Sequence, residues 1–189
     1  MKTKNIELIR KYFEFYEKDI LPKLKTIPWV TQGDFWMHWL LTHTDSVVFR
    51  GIYYAVCLWE DPMPVIFACA LHDSARTDDD YNEIHWERAV PNVYNLLEIL
   101  PNILNKEQIE SVIYAVKNHT TWMNAPDYIS ACLWDADRTR LARMYWYKEK
   151  FMSADEAKEV SQWSASEFLV FQNKCLWRKL SEDREMVLR

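Results

Sequence analysis

The chain has 189 residues, of which 49% are hydrophobic and 27% charged, and this composition excludes a disordered or low-complexity protein. It holds only two glycines, Gly33 and Gly51, which excludes a Gly-rich phosphate loop, a dinucleotide-binding fingerprint and a nucleophile elbow. The formal net charge of −5 argues against general binding to a nucleic-acid backbone. So few turn glycines in a chain of this length predict one all-α domain over residues 1–189.

Most of the predicted helices are separated by prolines, and their apolar residues recur every three or four positions. The segment 64–71 is apolar on every side, which predicts a fully buried helix. Gly51 lies on the apolar stripe of the second helix and would allow a neighbour to approach closely. In chain order the predicted helices cover residues 4–25, 34–59 with Asp34 as N-cap, 64–71, 84–100 with an interruption or kink at Pro91, 105–119 with a capping box of Asn105 and Gln108, 126–150, a segment capped by Ser153 and Glu156, and the tail from 164.

The cysteines show no Cys-x-x-Cys spacing, and each lies in an apolar helical stretch. We interpret them as buried free thiols of a reducing compartment. No uncharged apolar run reaches the roughly 18 residues of a membrane-spanning helix, and the N-terminus has no apolar core of a signal peptide. We therefore expect a cytoplasmic protein without a membrane partner. The four cysteines are Cys57, Cys69, Cys132 and Cys175.

Four of the five histidines fall where a predicted helix presents its apolar side to the core. His43 lies on the apolar stripe of the second helix, and His72 with Asp73 closes the most apolar segment of the chain. His85 begins the apolar face of its helix, and His119 ends the apolar face of the next one. For each histidine alone, a core residue bonded to a carbonyl is the commoner explanation. Together with inward aspartates, the set is typical of a functional site.

Two neighbouring aspartates, Asp135 and Asp137, compete for an inward position, and helical phase separates them. Asp137 is in phase with the apolar residues Leu133 and Leu141, whereas Asp135 points about 200° away, toward the more polar side. A buried carboxylate without a partner is strongly destabilising, so Asp73 and Asp137 need a cation. A metal ion would satisfy both carboxylates and the inward imidazoles together.

The ordered pattern of these residues resembles the HD superfamily of metal-dependent phosphohydrolases. The segment Ala70-Leu71-His72-Asp73 is similar to the motif that names the superfamily, and Asp135-Ala136-Asp137-Arg138 is similar to its closing motif. The stretches from His72 to Arg76 and from His85 to Arg88 also resemble a subgroup of bacterial HD proteins, although Thr44-Asp45-Ser46 and Trp86 depart from it. The resemblance covers roughly residues 38–145, with flanking helices at both ends. The residues that carry it are His43, His72, Asp73, His85, His119 and Asp137.

This resemblance implies a helical bundle of HD-domain type that binds one or two divalent transition-metal ions, such as Mn, Fe, Co, Ni or Zn. It implies that a first ion is held by His43, His72, Asp73 and Asp137. It further implies that His85 and His119 hold a second ion, with Asp73 bridging the two. A water activated by the metal would then attack the phosphorus of a small phosphorylated molecule, such as a nucleotide.

The resemblance also leads us to expect catalytic roles for His72 and Asp73, assisted by Arg76 and Arg88. Guanidinium groups match the oxygens of a phosphate, so Arg76, Arg88 and Arg138 are candidate substrate contacts. Surface ion pairs with the acidic loop are an equally good explanation of these arginines.

Two other functions are compatible with the same ligands. HD-fold di-iron oxygenases share the order of histidines and aspartates, and iron content with O₂ consumption would favour that chemistry. A non-catalytic metal-stabilised or ligand-sensing module would bind metal without turnover. Phosphate release with Mn²⁺ would favour the phosphohydrolase.

Overall fold

A computed structural model describes residues 3–27, 43–76, 85–121, 123–141, 152–161 and 165–176. Every regular element in these ranges is helical, which confirms the predicted all-α class. None of the described helices is both long enough and apolar enough to cross a membrane. The elements are α1 (Thr3–Phe15), a π-helical turn (Tyr16–Ile20), α2 (Leu21–Leu24), α3 (Asp45–Cys57), α4 (Pro62–Leu71), α5 (His85–Ile99), α6 (Lys106–Lys117), α7 (Tyr128–Leu141), α8 (Asp155–Ser161) and α9 (Ala165–Leu176).

The helix α4 is the buried centre of the fold, as its apolar sequence predicts. Asp61 caps its first turn, where its side chain accepts a hydrogen bond of 2.9 Å from the backbone N–H of Met63. Pro62 and Pro64 are tolerated there because the backbone N–H groups of the first turn have no acceptor within the helix, so a missing N–H loses no helical hydrogen bond. Every residue of α4 except Met63 is buried. The helices α3, α6 and α7 pack around α4, so its C-terminal end lies inside the protein.

The first predicted helix is present but is not uniform. It runs as α1, widens into the π-helical turn Tyr16–Ile20, and continues as α2. Tyr16 and Ile20, at the two ends of this turn, are both fully buried. The widening leaves no mark in the apolar pattern, because the buried residues keep their spacing of three or four positions.

The capping box predicted at the start of α6 is confirmed. Asn105 accepts a hydrogen bond of 2.9 Å from the N–H of Gln108, and Gln108 accepts one of 3.0 Å from the N–H of Asn105.

The helix α5 contains Pro91 without ending there. Of the second predicted helix, the part before residue 43, including Asp34, lies outside the described residues. The same holds for residues 142–150 of the helix predicted to follow Pro126.

All four cysteines are free thiols, as predicted. Cys69, Cys132 and Cys175 are buried, and Cys57 is half-buried.

Gly51 lies where α3 packs against α4. A Cβ atom at this position would lie 2.6 Å from Sγ of Cys69 and 2.9 Å from Cγ1 of Val65. Both distances are shorter than real side chains adopt, and Val65 is β-branched and therefore stiff. The close approach predicted at Gly51 is confirmed, and it sets the spacing between the two helices.

We expect Gly51→Ala to lower the free energy of unfolding by about 1 to 3 kcal/mol, because the added methyl group overpacks the interface. In an exposed helix the same change would raise it by about 1 kcal/mol, since alanine is the better helix former. Urea unfolding measures the sign directly. In the double variant Gly51→Ala/Cys69→Ala, the loss of stability should be smaller than the sum of the two single losses, because the clash with Sγ is then gone. A more stable Gly51→Ala would contradict the close packing.

Candidate metal centre

Side chains from three parts of the fold converge at the C-terminal end of α4. His43 lies two residues before the start of α3, His72 directly follows α4, and Asp137 lies in α7. Nε2 of His43 lies 3.1 Å from Nε2 of His72 and 3.3 Å from Oδ1 of Asp137. Oδ2 of Asp73 lies 3.6 Å from Nε2 of His43 and 3.5 Å from Nε2 of His72. Nε2 of His72 lies 3.8 Å from Oδ1 of Asp137.

These separations are those expected between ligands of one metal ion. Two donor atoms that lie about 2.1 Å from an ion and subtend about 90° to 109° at it are about 3.0 to 3.4 Å apart. The separations above fall in or slightly beyond this range. His43, His72 and Asp73 each offer a donor atom within 4.8 Å of the others. The cluster of His43, His72 and Asp73 could therefore hold a metal ion.

Two histidines are oriented by the carbonyl groups of the helices that they follow. Nδ1 of His72 lies 2.7 Å from the carbonyl oxygen of Cys69, and Nδ1 of His119 lies 2.7 Å from that of Val116. Because a carbonyl can only accept, each Nδ1 carries the proton. In the neutral ring, Nε2 then presents a lone pair to the cluster. This arrangement is typical of metal-binding histidines.

The electrostatics of the cluster favour a neutral His72 beside an ionised Asp137. Burial lowers the pKa of His72 to about 4, against the opposing pull of Asp73 and Asp137. Burial alone would raise the pKa of Asp137, but the hydrogen bond from His43 and the charges of His72 and His43 lower it to about 2. Burial also disfavours a charged His119, yet its hydrogen bond to Asp73 raises its pKa.

A lone pair on Nε2 of His72 repels the carboxylate oxygens it faces unless a cation lies between them. Two buried carboxylates beside a neutral His72 call for compensating positive charge. A divalent ion supplies that charge and accepts all the donor atoms at once. The residues present therefore fit a metal ion.

Asp73 directs its two oxygens to different neighbours. Oδ2 faces His43 and His72, as described above, whereas Oδ1 lies 3.5 Å from Nε2 of His119 and 3.6 Å from Nη1 of Arg76. The imidazole of His119 and the guanidinium of Arg76 thus face the other oxygen of Asp73, and the ring centroid of His119 lies 5.2 Å from that of His72. Both side chains are largely buried.

The remaining predicted residues are placed differently. His85 is the first residue of α5, but its side chain lies outside the described part of the chain. Arg88 is exposed on the same helix. Arg138 is buried, and its Nη2 donates a hydrogen bond of 2.6 Å to the carbonyl of Thr121. Because Thr121 follows His119 by two residues, this bond ties the segment of His119 to α7.

The prediction that Asp135 points toward a polar side is wrong, because Asp135 is fully buried. Its carboxylate accepts hydrogen bonds of 3.0 and 3.1 Å from the N–H of Ser153 and one of 2.8 Å from the N–H of Ala154. Burial raises the pKa of Asp135 to about 6, although these N–H groups oppose the shift. Asp135 therefore anchors the segment that leads into α8. Ser153, which the sequence predicts as part of the cap of this helix together with Glu156, belongs to that segment.

Sequence reasoning also missed Asn92 in α5. Asn92 is fully buried, and its Nδ2 donates a hydrogen bond of 3.1 Å to Oγ of Ser74, the residue after Asp73. The bond fastens the turn of the metal cluster to α5. A signal was present, since Asn92 is a polar residue on the apolar face formed by Ala89 and Leu96.

No protein family, curated protein or solved structure matched the chain. Evidence for a metal centre therefore comes from the geometry of the chain itself.

The two aspartates of α7 should respond to substitution in different ways. Asp137→Ala should strip bound metal, because it removes a donor atom, while the metal-free protein stays folded. Asp135→Ala should lower the free energy of unfolding by at least about 2 kcal/mol, because it leaves two N–H groups without their acceptor. Metal analysis and urea unfolding of both variants separate the two effects. Equal metal loss in both would contradict the separate roles.

Proposed function

We propose that the chain is a metal-dependent phosphohydrolase that acts on a small phosphorylated molecule, such as a nucleotide. The observation that carries this proposal is the buried cluster of His43, His72, Asp73 and Asp137, with the guanidinium of Arg76 beside it. A metal cluster next to a largely buried cation suits a phosphate, which needs positive charge on several oxygens.

His43, His72, Asp73 and Asp137 would hold the first divalent ion through the atoms that face one another. The ion, when bound, lowers the pKa of a water and polarises a phosphoryl oxygen. The carbonyl groups of Cys69 and Val116 keep Nδ1 of His72 and His119 protonated, so that each Nε2 stays a ligand.

His119 is placed for a role in a second ion site, because its Nε2 faces the oxygen of Asp73 that the first cluster leaves. We propose that His85, at the start of α5, would complete this second site and that Asp73 would be shared by the two sites. The helices α5 and α6 pack against each other, which is what this assignment requires.

Arg76 is the arginine whose described contacts suit substrate binding. Its Nη1 lies 3.6 Å from Oδ1 of Asp73, and its side chain is 14% exposed, so it borders both the cluster and solvent. The guanidinium of Arg76 would present its donors to phosphate oxygens. Arg88, exposed on α5, is proposed as a second contact. Arg138 is proposed to act mainly by holding the segment of His119.

The experiment compares the same chemical change at the two ends of α4. Asp73→Asn removes a carboxylate from the cluster, whereas Asp61→Asn removes one from the helix start and keeps a capping side chain there. The purified protein should carry about one to two divalent ions and release phosphate from a panel of phosphomonoesters and nucleotides. We expect Asp73→Asn to lose the metal and at least about 100-fold in activity. Asp61→Asn should retain both.

Each other outcome has a definite meaning. Iron content with O₂ consumption and no phosphate release would replace the phosphohydrolase with the oxygenase chemistry. Metal binding without any turnover would support a metal-stabilised module. Full metal content in Asp73→Asn would reject the metal centre itself.

A further inference from the structure

Tyr16 is a buried tyrosine whose hydroxyl reaches the start of the helix that follows His43. The residue is fully buried, and its hydroxyl donates a hydrogen bond of 2.8 Å to Oδ1 of Asp45. Asp45 is the first residue of α3 and lies two residues after His43. This side-chain bond joins the N-terminal helical segment to the turn that carries His43, a candidate metal ligand.

One end of this bond lies in a π-helical turn, and the other lies directly after one. Tyr16 is the first residue of the turn Tyr16–Ile20, and His43 with Thr44 has π-helical geometry immediately before α3. Such turns are rare, and they occur frequently at functional sites. Anchoring the turn that carries His43 therefore matters for the cluster.

The ring of Tyr16 is held firmly by its neighbours. Its centroid lies 5.6 Å from that of Phe13, which in turn lies 5.8 Å from that of Phe49 in α3. Both phenylalanines are fully buried. Phe49 of α3 thus supports the ring of Tyr16 through Phe13, which holds the hydroxyl near the start of that helix.

We propose that Tyr16 is a positioning residue for the metal centre: its hydroxyl fixes Asp45, and through Asp45 the turn that presents His43 to the ion. This inference rests on the proposed metal centre. Groups that orient a ligand without touching the ion typically change metal affinity by about 10- to 100-fold when they are removed.

The test uses Co²⁺, whose visible absorption bands report the geometry of its ligands. Tyr16→Phe removes only the hydroxyl, and we expect it to weaken Co²⁺ binding about tenfold and to alter the bands. The matched control is Tyr53→Phe, which removes a hydroxyl hydrogen-bonded to Cys57 toward the other end of α3. It should change neither affinity nor spectrum.

Substitutions of Asp45 complete the design. Asp45→Asn keeps an oxygen that can accept from Tyr16 and should bind Co²⁺ like the original chain, whereas Asp45→Ala should resemble Tyr16→Phe. In the double variant Tyr16→Phe/Asp45→Ala, the two effects on affinity should be far from additive, because both remove the same bond.

The outcomes distinguish the two proposals. An original chain that binds no Co²⁺ would overturn the metal centre itself. A chain that binds Co²⁺ with the same affinity and spectrum in Tyr16→Phe would overturn the role of Tyr16 alone. An equal loss in Tyr53→Phe would also overturn it, since the effect would then reflect general loosening of α3.

Discussion

Two carboxylates buried together at one end of α4 are the constraint on which the rest of the structure depends. Asp73 and Asp137 both lie within 3.8 Å of Nε2 of His72, in a space that excludes most water. Burying these charges destabilises the folded state unless cations compensate them. Burial lowers the pKa of His72 to about 4, so that imidazole supplies no charge at neutral pH. By bringing side chains from separate helices to one point, the fold forms a cluster that could hold a metal ion.

Helix termination and ligand orientation are achieved by the same hydrogen bonds. The last carbonyl groups of a helix have no partner within it, and they are costly when buried. At the end of α4, His72 donates to the carbonyl of Cys69, and at the end of α6, His119 donates to that of Val116. Each bond satisfies a helix end inside the protein and also turns Nε2 toward the cluster. A histidine at the end of a buried helix thus satisfies a helix carbonyl and orients its own Nε2.

The sequence allowed the helices and the inward histidines to be predicted, because both depend on the apolar pattern. His43 and His72 lie on, or at the end of, apolar stretches, and a polar residue in such a place has few stable environments. The π-helical turns could not be predicted, since one wider turn leaves that pattern almost unchanged. The bond between Tyr16 and Asp45 was equally hidden, because it depends on how two distant segments meet.

Asp135 shows where helical phase stops being informative. Phase assigns an inward and an outward side only to a helix that has one exposed face. In α7 every residue from 129 to 139 is buried, so the side opposite Asp137 is also interior. The two carboxylates then differ in their partners rather than in their burial. Asp137 meets histidine nitrogens that a metal can share, whereas Asp135 meets backbone N–H groups that already satisfy it. The partners of each carboxylate therefore distinguish a candidate metal ligand, Asp137, from a structural anchor, Asp135.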